Sequence, residues 1–238
     1  MKVDILAVGV HPDDVELSCS GTLLKHIALG KTAGILDLTR GELGTRGNAE
    51  LRTKEATESA KILGAAFRTQ LTFRDGFFAH DEKHMLQVVE QIRRYQPEIV
   101  LCNAVRDRHP DHGRSASLVA EACFYSGLAK IPTIFEGKEQ QAWRPKAVYH
   151  YIQDQYIDPD FVIDVTDHIE KKRASIMAFS SQFYDPKSKE PQTPISTKEF
   201  MDYLEAKMAL WGRSIGKRYA EGFTHVRIPG VNSLFDLI

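Results

Sequence analysis

Residues 3–10 form a largely β-branched and aliphatic run that stops at His11-Pro12, and from Leu17 to Leu29 apolar positions recur at helical spacing until Gly30. That change of period predicts a buried strand, a turn and a helix. The unit repeats: a strand over 33–39, an amphipathic helix over 48–63 ended by Gly64, and a short strand over 70–73. A helix over 82–95 leads through Gln96-Pro97 into a fourth strand over 98–104, and a helix over 113–128 follows. Next, Pro132, Gly137 and Pro145 punctuate a loop, strands are expected over 147–152 and 161–165, and helices over 166–179 and 197–217. Between those helices, the Lys/Ser/Pro-rich segment 184–196 reads as a mobile surface loop beside or over a site.

Strands alternating with helices in this way give a mainly parallel sheet with helices on both faces and right-handed crossovers. The predicted fold is α/β, Rossmann-like and doubly wound, with one domain over residues 1–238. In the common 3-2-1-4 order, strands 1 and 4 are neighbours at the switch point, and ligands bind outside their carboxyl ends.

A chain of 238 residues, 42% of them hydrophobic, can bury a full core. Its formal net charge of −1 gives no general attraction to nucleic acid or anionic lipid, so the expected partner is a small molecule. Cys19, Cys102 and Cys123 are odd in number and lack a C-x-x-C spacing, which points to reduced thiols. No signal peptide is legible and no apolar run approaches the ~20 residues of a membrane span, so a cytoplasmic location is expected.

His11-Pro12-Asp13-Asp14 and His109-Pro110-Asp111-His112 are near-copies that follow strands 1 and 4. Three histidines and three carboxylates outside two strand ends have no core to serve, and they suggest a metal-dependent hydrolase. Pro12 favours the first turn of a helix, so His11 and Asp14 turn back toward one point while Asp13 projects from another face. A histidine and a carboxylate from this motif, with His112 from the other, match the three-ligand, open-position arrangement of catalytic zinc. Spacing alone leaves Asp13 and Asp14 equal candidates for the ligand. His109 is then free as general acid or oxyanion partner, with Asp111 a carboxylate suited to fixing its tautomer. In and after the glycine-rich segment 39–47, Arg46 and Arg52 offer paired donors to an anionic group, as does Arg108; Asp75 is a candidate for a sugar hydroxyl. A two-metal phosphoesterase would need more ligands than these motifs supply, and a nucleotide-binding module would leave both tetrapeptides unexplained.

H-P-D-D at 11–14, G-E-L-G-T-R-G at 41–47 and H-P-D-H at 109–112, in that order, resemble the LmbE/PIG-L family of metal-dependent N-acetylglucosaminyl deacetylases. The resemblance implies His11, Asp14 and His112 as ligands of one divalent ion per chain, zinc with iron(II) as the other occupant. It further implies Asp13 as general base and His109 as electrophilic or acidic partner, oriented by Asp111. The activity implied is hydrolysis of the N-acetyl group of an N-acetylglucosamine conjugate, with release of acetate. Arg52, Arg108 and the segment Tyr219-Ala220-Glu221-Gly222-Phe223 most resemble the branch that deacetylates N-acetylglucosaminyl-malate in bacillithiol biosynthesis, with both arginines on the malate carboxylates. Relatives acting on chitin-derived sugars share the core motifs. The family resemblance also implies a homo-oligomer, with hexamers among the known assemblies.

Overall fold

In order along the chain, the first half contains β1 (Ile5–Gly9), α1 (Asp14–Ala28), β2 (Ala33–Thr39), α2 (Ala49–Leu63), β3 (Arg68–Phe73), α3 (Glu82–Tyr95), β4 (Ile99–Cys102) and α4 (Pro110–Tyr125). The hairpin β5 (Ile134–Phe135) and β6 (Lys138–Glu139) comes next, then β7 (Ala147–Tyr151), β8 (Phe161–Asp164), α5 (Ile169–Met177), α6 (Phe200–Ser214) and β9 (Ala220–His225). These come from a computed structural model that describes residues 1–237.

β1 is buried along its whole length, and its alternation separates two cores. Leu6, Val8 and the adjoining Val10 pack with Val88 and Ile92 of α3 and Leu118 and Ala122 of α4. Ile5 and Ala7 pack instead with Val15, Cys19 and Leu23 of α1. A third cluster joins α5 and α6 through Ile176, Leu204 and Met208. Helix ends follow local chemistry: the Asn48 side chain accepts from the Leu51 N–H at the start of α2, and Gly64 closes it at a φ of 74°.

The main sheet has the order β3-β2-β1-β4-β7-β9-β8. β3 through β7 in that order are parallel, as expected, whereas β9 runs antiparallel between β7 and β8. The chain moves outward on both sides of β1, so the cleft beyond the carboxyl ends of β1 and β4 is the switch point.

The pattern reading missed β9 for a physical reason. Glu221 and Gly222 are poor strand residues, yet Glu221 is buried by the Lys172 ammonium at 2.8 Å and the N–H groups of Gly21 and Thr22. Gly222 lets the strand approach Trp211, whose ring lies 3.1 Å from where a Cβ would stand. The expected loop around Gly137 holds the β5-β6 hairpin, turned by Glu136 at φ 50° and Gly137 at φ 74°. Two helices start earlier than periodicity suggests, at Asp14 and Pro110, which draws both tetrapeptides into first turns. Among the described residues, no helix is long and apolar enough to cross a membrane.

Candidate metal centre and active site

The first tetrapeptide turns sharply out of β1. Gly9 permits the turn, since a Cβ there would stand 3.1 Å from both the Asp14 Cβ and the His11 carbonyl oxygen. Asp13 is forced to φ 126°, a conformation an L side chain rarely adopts and one that persists only where the surroundings impose it. Asp14 Oδ2 accepts from the His11 N–H at 2.9 Å and from Asn103 Nδ2 at 2.9 Å, while Oδ1 accepts from Gln153 Nε2 at 3.1 Å. Ser115 in turn donates to Asn103 Oδ1 at 2.9 Å. Asn103 and Gln153 sit just beyond β4 and β7, so the parallel sheet itself holds this carboxylate.

The second tetrapeptide opens α4, with Pro110 in its first turn. His112 donates from Nδ1 to Asp107 at 2.5 Å, which leaves Nε2 facing Asp14 Oδ1 at 3.1 Å. His11 donates from Nε2 to Asp75 at 3.0 Å, with Asp111 at 3.6 Å, and its Nδ1 lies 3.8 Å from Asp14. Each ring therefore has one nitrogen fixed by a carboxylate and the other turned toward Asp14, the arrangement that orients histidine ligands of metals.

The electrostatics point the same way. Burial pushes His112 down, but Asp14 and Asp107 outweigh it and hold the imidazole up at about 9. Burial likewise disfavours charge on His11, which Asp111, Asp14 and Asp75 overcome. Burial would raise Asp14, yet His112 and His11 keep it well below the usual carboxylate range. The carboxylates thus favour positive charge on both imidazoles, a field into which a cation would be drawn. Among the described residues, the groupings whose ligand atoms all lie within 4.8 Å of one another are His11 with His109 and His112, and His11 with Asp75 and Asp111; Asp14 enters neither, and its contacts are those with His112 and His11 given above. The second grouping is better read as orientation of His11, since Asp75 also accepts from the Leu43 N–H and Asp111 from Gly76 and Arg114.

His109 stands beside the trio, its ring 4.6 Å from that of His11 and 5.2 Å from that of His112. The Asp111 carboxylate does not orient it, because its bonds go to the Gly76 N–H and Arg114. The Asp111 backbone N–H does so instead, donating to His109 Nδ1 at 3.2 Å and leaving the proton on Nε2. Burial, with the charge of His11 and His112, lowers the His109 pKa. With Nδ1 taken by the Asp111 N–H, the nitrogen His109 has left for a hydrogen bond is Nε2.

Asp13 lies on the wall of a cavity of about 620 Å³ that also includes His11, Asp14, His109 and His112. Burial raises its pKa to about 7 although Arg52 opposes that shift from 2.9 Å. Arg52 lines the cavity too, but its guanidinium is engaged with Asp13 and the carbonyls of Pro12 and Gly41. Arg46 is turned away to Phe183 O, Ser188 and Glu190, where it ties down the 184–196 loop. Arg108 is on the cavity wall, half exposed and paired with Asp154 at 2.6 Å. Asp75 faces His11 as well as the cavity.

Sequence reasoning missed Asn103, Asp107, Gln153 and Lys207. The first and third follow strand ends of a parallel sheet, a positional signal that was available; Asp107 lies five residues before His112 and carried no motif of its own.

Residues 6–123 match the PIG-L family, described as GlcNAc-PI de-N-acetylase. A crystal structure of a conserved protein from Thermus thermophilus shares this fold with a TM-score of 0.86 at 34% identity, over 98% of each chain. Diacetylchitobiose deacetylase of Thermococcus kodakarensis is 28% identical over 240 residues, 95% of this chain and 84% of that one. A probable N-acetyl-alpha-D-glucosaminyl L-malate deacetylase of Bacillus anthracis is 27% identical over 195 residues, 75% of this chain and 81% of that one. With the fold shared and both tetrapeptides inside the matched span, the chain belongs to the PIG-L (LmbE) family of deacetylases.

Proposed function

We propose that this protein is a metal-dependent N-deacetylase that hydrolyses the N-acetyl group of an N-acetylglucosamine conjugate. The observation that carries the reading is the division of two adjacent carboxylates. Asp14 faces His112 and His11, whereas Asp13 faces the cavity with a pKa of about 7, matched to proton transfer near neutrality.

A divalent ion on His11, Asp14 and His112, with zinc the best match to this nitrogen and oxygen donor set, would acidify a bound water and polarise the amide carbonyl. Asp13 takes the proton of the attacking water as its oxygen bonds to the carbonyl carbon. His109 donates from Nε2 to the oxygen on which negative charge develops, and its fixed tautomer requires no reorganisation. Asp13 then returns its proton to the departing amine as the C–N bond breaks, giving acetate and the free glucosamine.

For the finer substrate we propose an acidic conjugate of the N-acetylglucosaminyl-malate type, in the context of bacillithiol biosynthesis. The B. anthracis relative supports it; Arg108 and Arg52 on the cavity wall support it less, being engaged with Asp154 and Asp13. The T. kodakarensis relative and the aromatic wall residues Phe77 and Tyr203 favour a neutral chitobiose-type sugar as the second reading. The test of the reaction uses two variants. Asp13→Asn keeps the metal content of the parent and releases almost no acetate, and His112→Ala loses the metal itself. Full activity of Asp13→Asn sinks the role given to that residue.

A further inference from the structure

One face of α6 brings Phe200, Tyr203, Leu204 and Lys207 to the cavity, positions spaced for a single helical stripe. Three of these are apolar or aromatic, which suits the body of a small conjugate. The fourth is a cation. Of the positive side chains on the cavity wall, Arg52 is paired with Asp13 and Arg108 with Asp154, while Lys207 stands in no ion pair among the described residues. Its Nζ donates to the carbonyl oxygen of Gln153, and the Trp211 ring lies 5.6 Å away. An ammonium carries three donors, so two remain for a ligand.

The location is specific. The Gln153 side chain holds Asp14 at 3.1 Å and reaches His112 at 3.4 Å, so Lys207 is tied to the backbone of a residue that contacts the proposed metal ligands. The neighbouring Arg108–Asp154 pair is neutral as a unit, which makes Lys207 the net charge of this wall. Burial depresses its pKa to about 8, outweighing the attraction of Asp154, so the partly buried ammonium lacks the counter-charge that would restore it.

We propose that Lys207 is the specificity-determining residue of this site, its ammonium taking a carboxylate on the group attached to the sugar and so favouring acidic N-acetylglucosamine conjugates over neutral ones. The inference rests on the deacetylase reading above. Phosphate on the attached group would satisfy the same donors, and a phosphorylated conjugate belongs in the same test.

The experiment measures kcat/KM for acetate release from N-acetylglucosaminyl-malate, from a phosphate-bearing N-acetylglucosamine conjugate and from diacetylchitobiose. Parent, Lys207→Met and Lys207→Arg are compared in metal-loaded form. A charge-assisted hydrogen bond lost in Lys207→Met lowers the acidic-to-neutral ratio about 10- to 100-fold through KM, and Lys207→Arg restores most of it. The better of the two acidic conjugates identifies the anion. An unchanged ratio in a folded Lys207→Met protein overturns the proposal. If that variant does not fold, an acidic-to-neutral ratio in Lys207→Arg and parent that ignores ionic strength between about 0.05 and 0.5 M overturns it equally, since a charge-selected substrate is screened. Acetate from none of the three conjugates removes the deacetylase reading and this inference together, whereas acetate with an unchanged ratio removes only this one.

Discussion

Replacing Asp13 by Asn should stabilise the metal-free protein while abolishing its activity. Asp13 is 5% exposed, and burial moves its carboxyl from the ordinary 3.8 to about 7 even with Arg52 beside it. The folded state therefore prefers this group uncharged. Because the folded pKa lies above the unfolded one, ionisation penalises folding, and the penalty grows from about pH 4 to about pH 7 and is constant above. At ~1.36 kcal/mol per pH unit, the penalty is about 4 kcal/mol at pH 8 and about 2 kcal/mol at pH 5. Asn reproduces the uncharged form and also tolerates the φ of 126° at this position better than most side chains. For a chain of this size, about 4 kcal/mol corresponds to roughly 8–16 °C in Tm. Calorimetry of chelator-treated parent and Asp13→Asn at pH 5 and pH 8 reads it. The variant should melt higher at both, with the larger gap at pH 8. Equal melting at pH 8, or a gap that shrinks as pH rises, refutes the reasoning.

Asp107→Asn should weaken metal binding about 10- to 100-fold, seen by competition with a chelating dye, because His112 loses the carboxylate that orients it. Arg52→Met removes the charge that opposes the rise at Asp13, so the acidic limb of the kcat/KM profile should move to higher pH, with activity lost below it. Lys172→Met strips the buried Glu221 of its partner and should cost about 3–5 kcal/mol of stability, read by urea unfolding, without displacing the metal.

What sequence made legible is the part of the site encoded locally. His11, Asp14 and His112 lie in short segments whose spacing carries a chemical meaning, and the alternation of strands and helices points to the β3-β2-β1-β4 order that brings those segments together. The supporting contacts come from the fold. Gln153 meets Asp14 across 139 positions of chain, and Asn103 across 89, because both stand beyond adjacent parallel strands. Proximity in sequence assigns Asp111 to His109; the start of a helix at Pro110 turns its carboxylate toward Gly76 and Arg114 instead. Arg52 suggests an anion partner, and the nearest anion is the protein's own Asp13. β9 escaped notice because Glu221 reads as a surface residue until Lys172, 49 positions away, is known to cover it.

The proposal that this site hydrolyses an amide is tested most directly by mass spectrometry of the products formed from N-acetylglucosaminyl-malate and diacetylchitobiose in ¹⁸O-water by the metal-loaded protein. Hydrolysis predicts acetate carrying one solvent oxygen together with an equal amount of free glucosamine amine. No acetate from either conjugate, or acetate without the label, would contradict it.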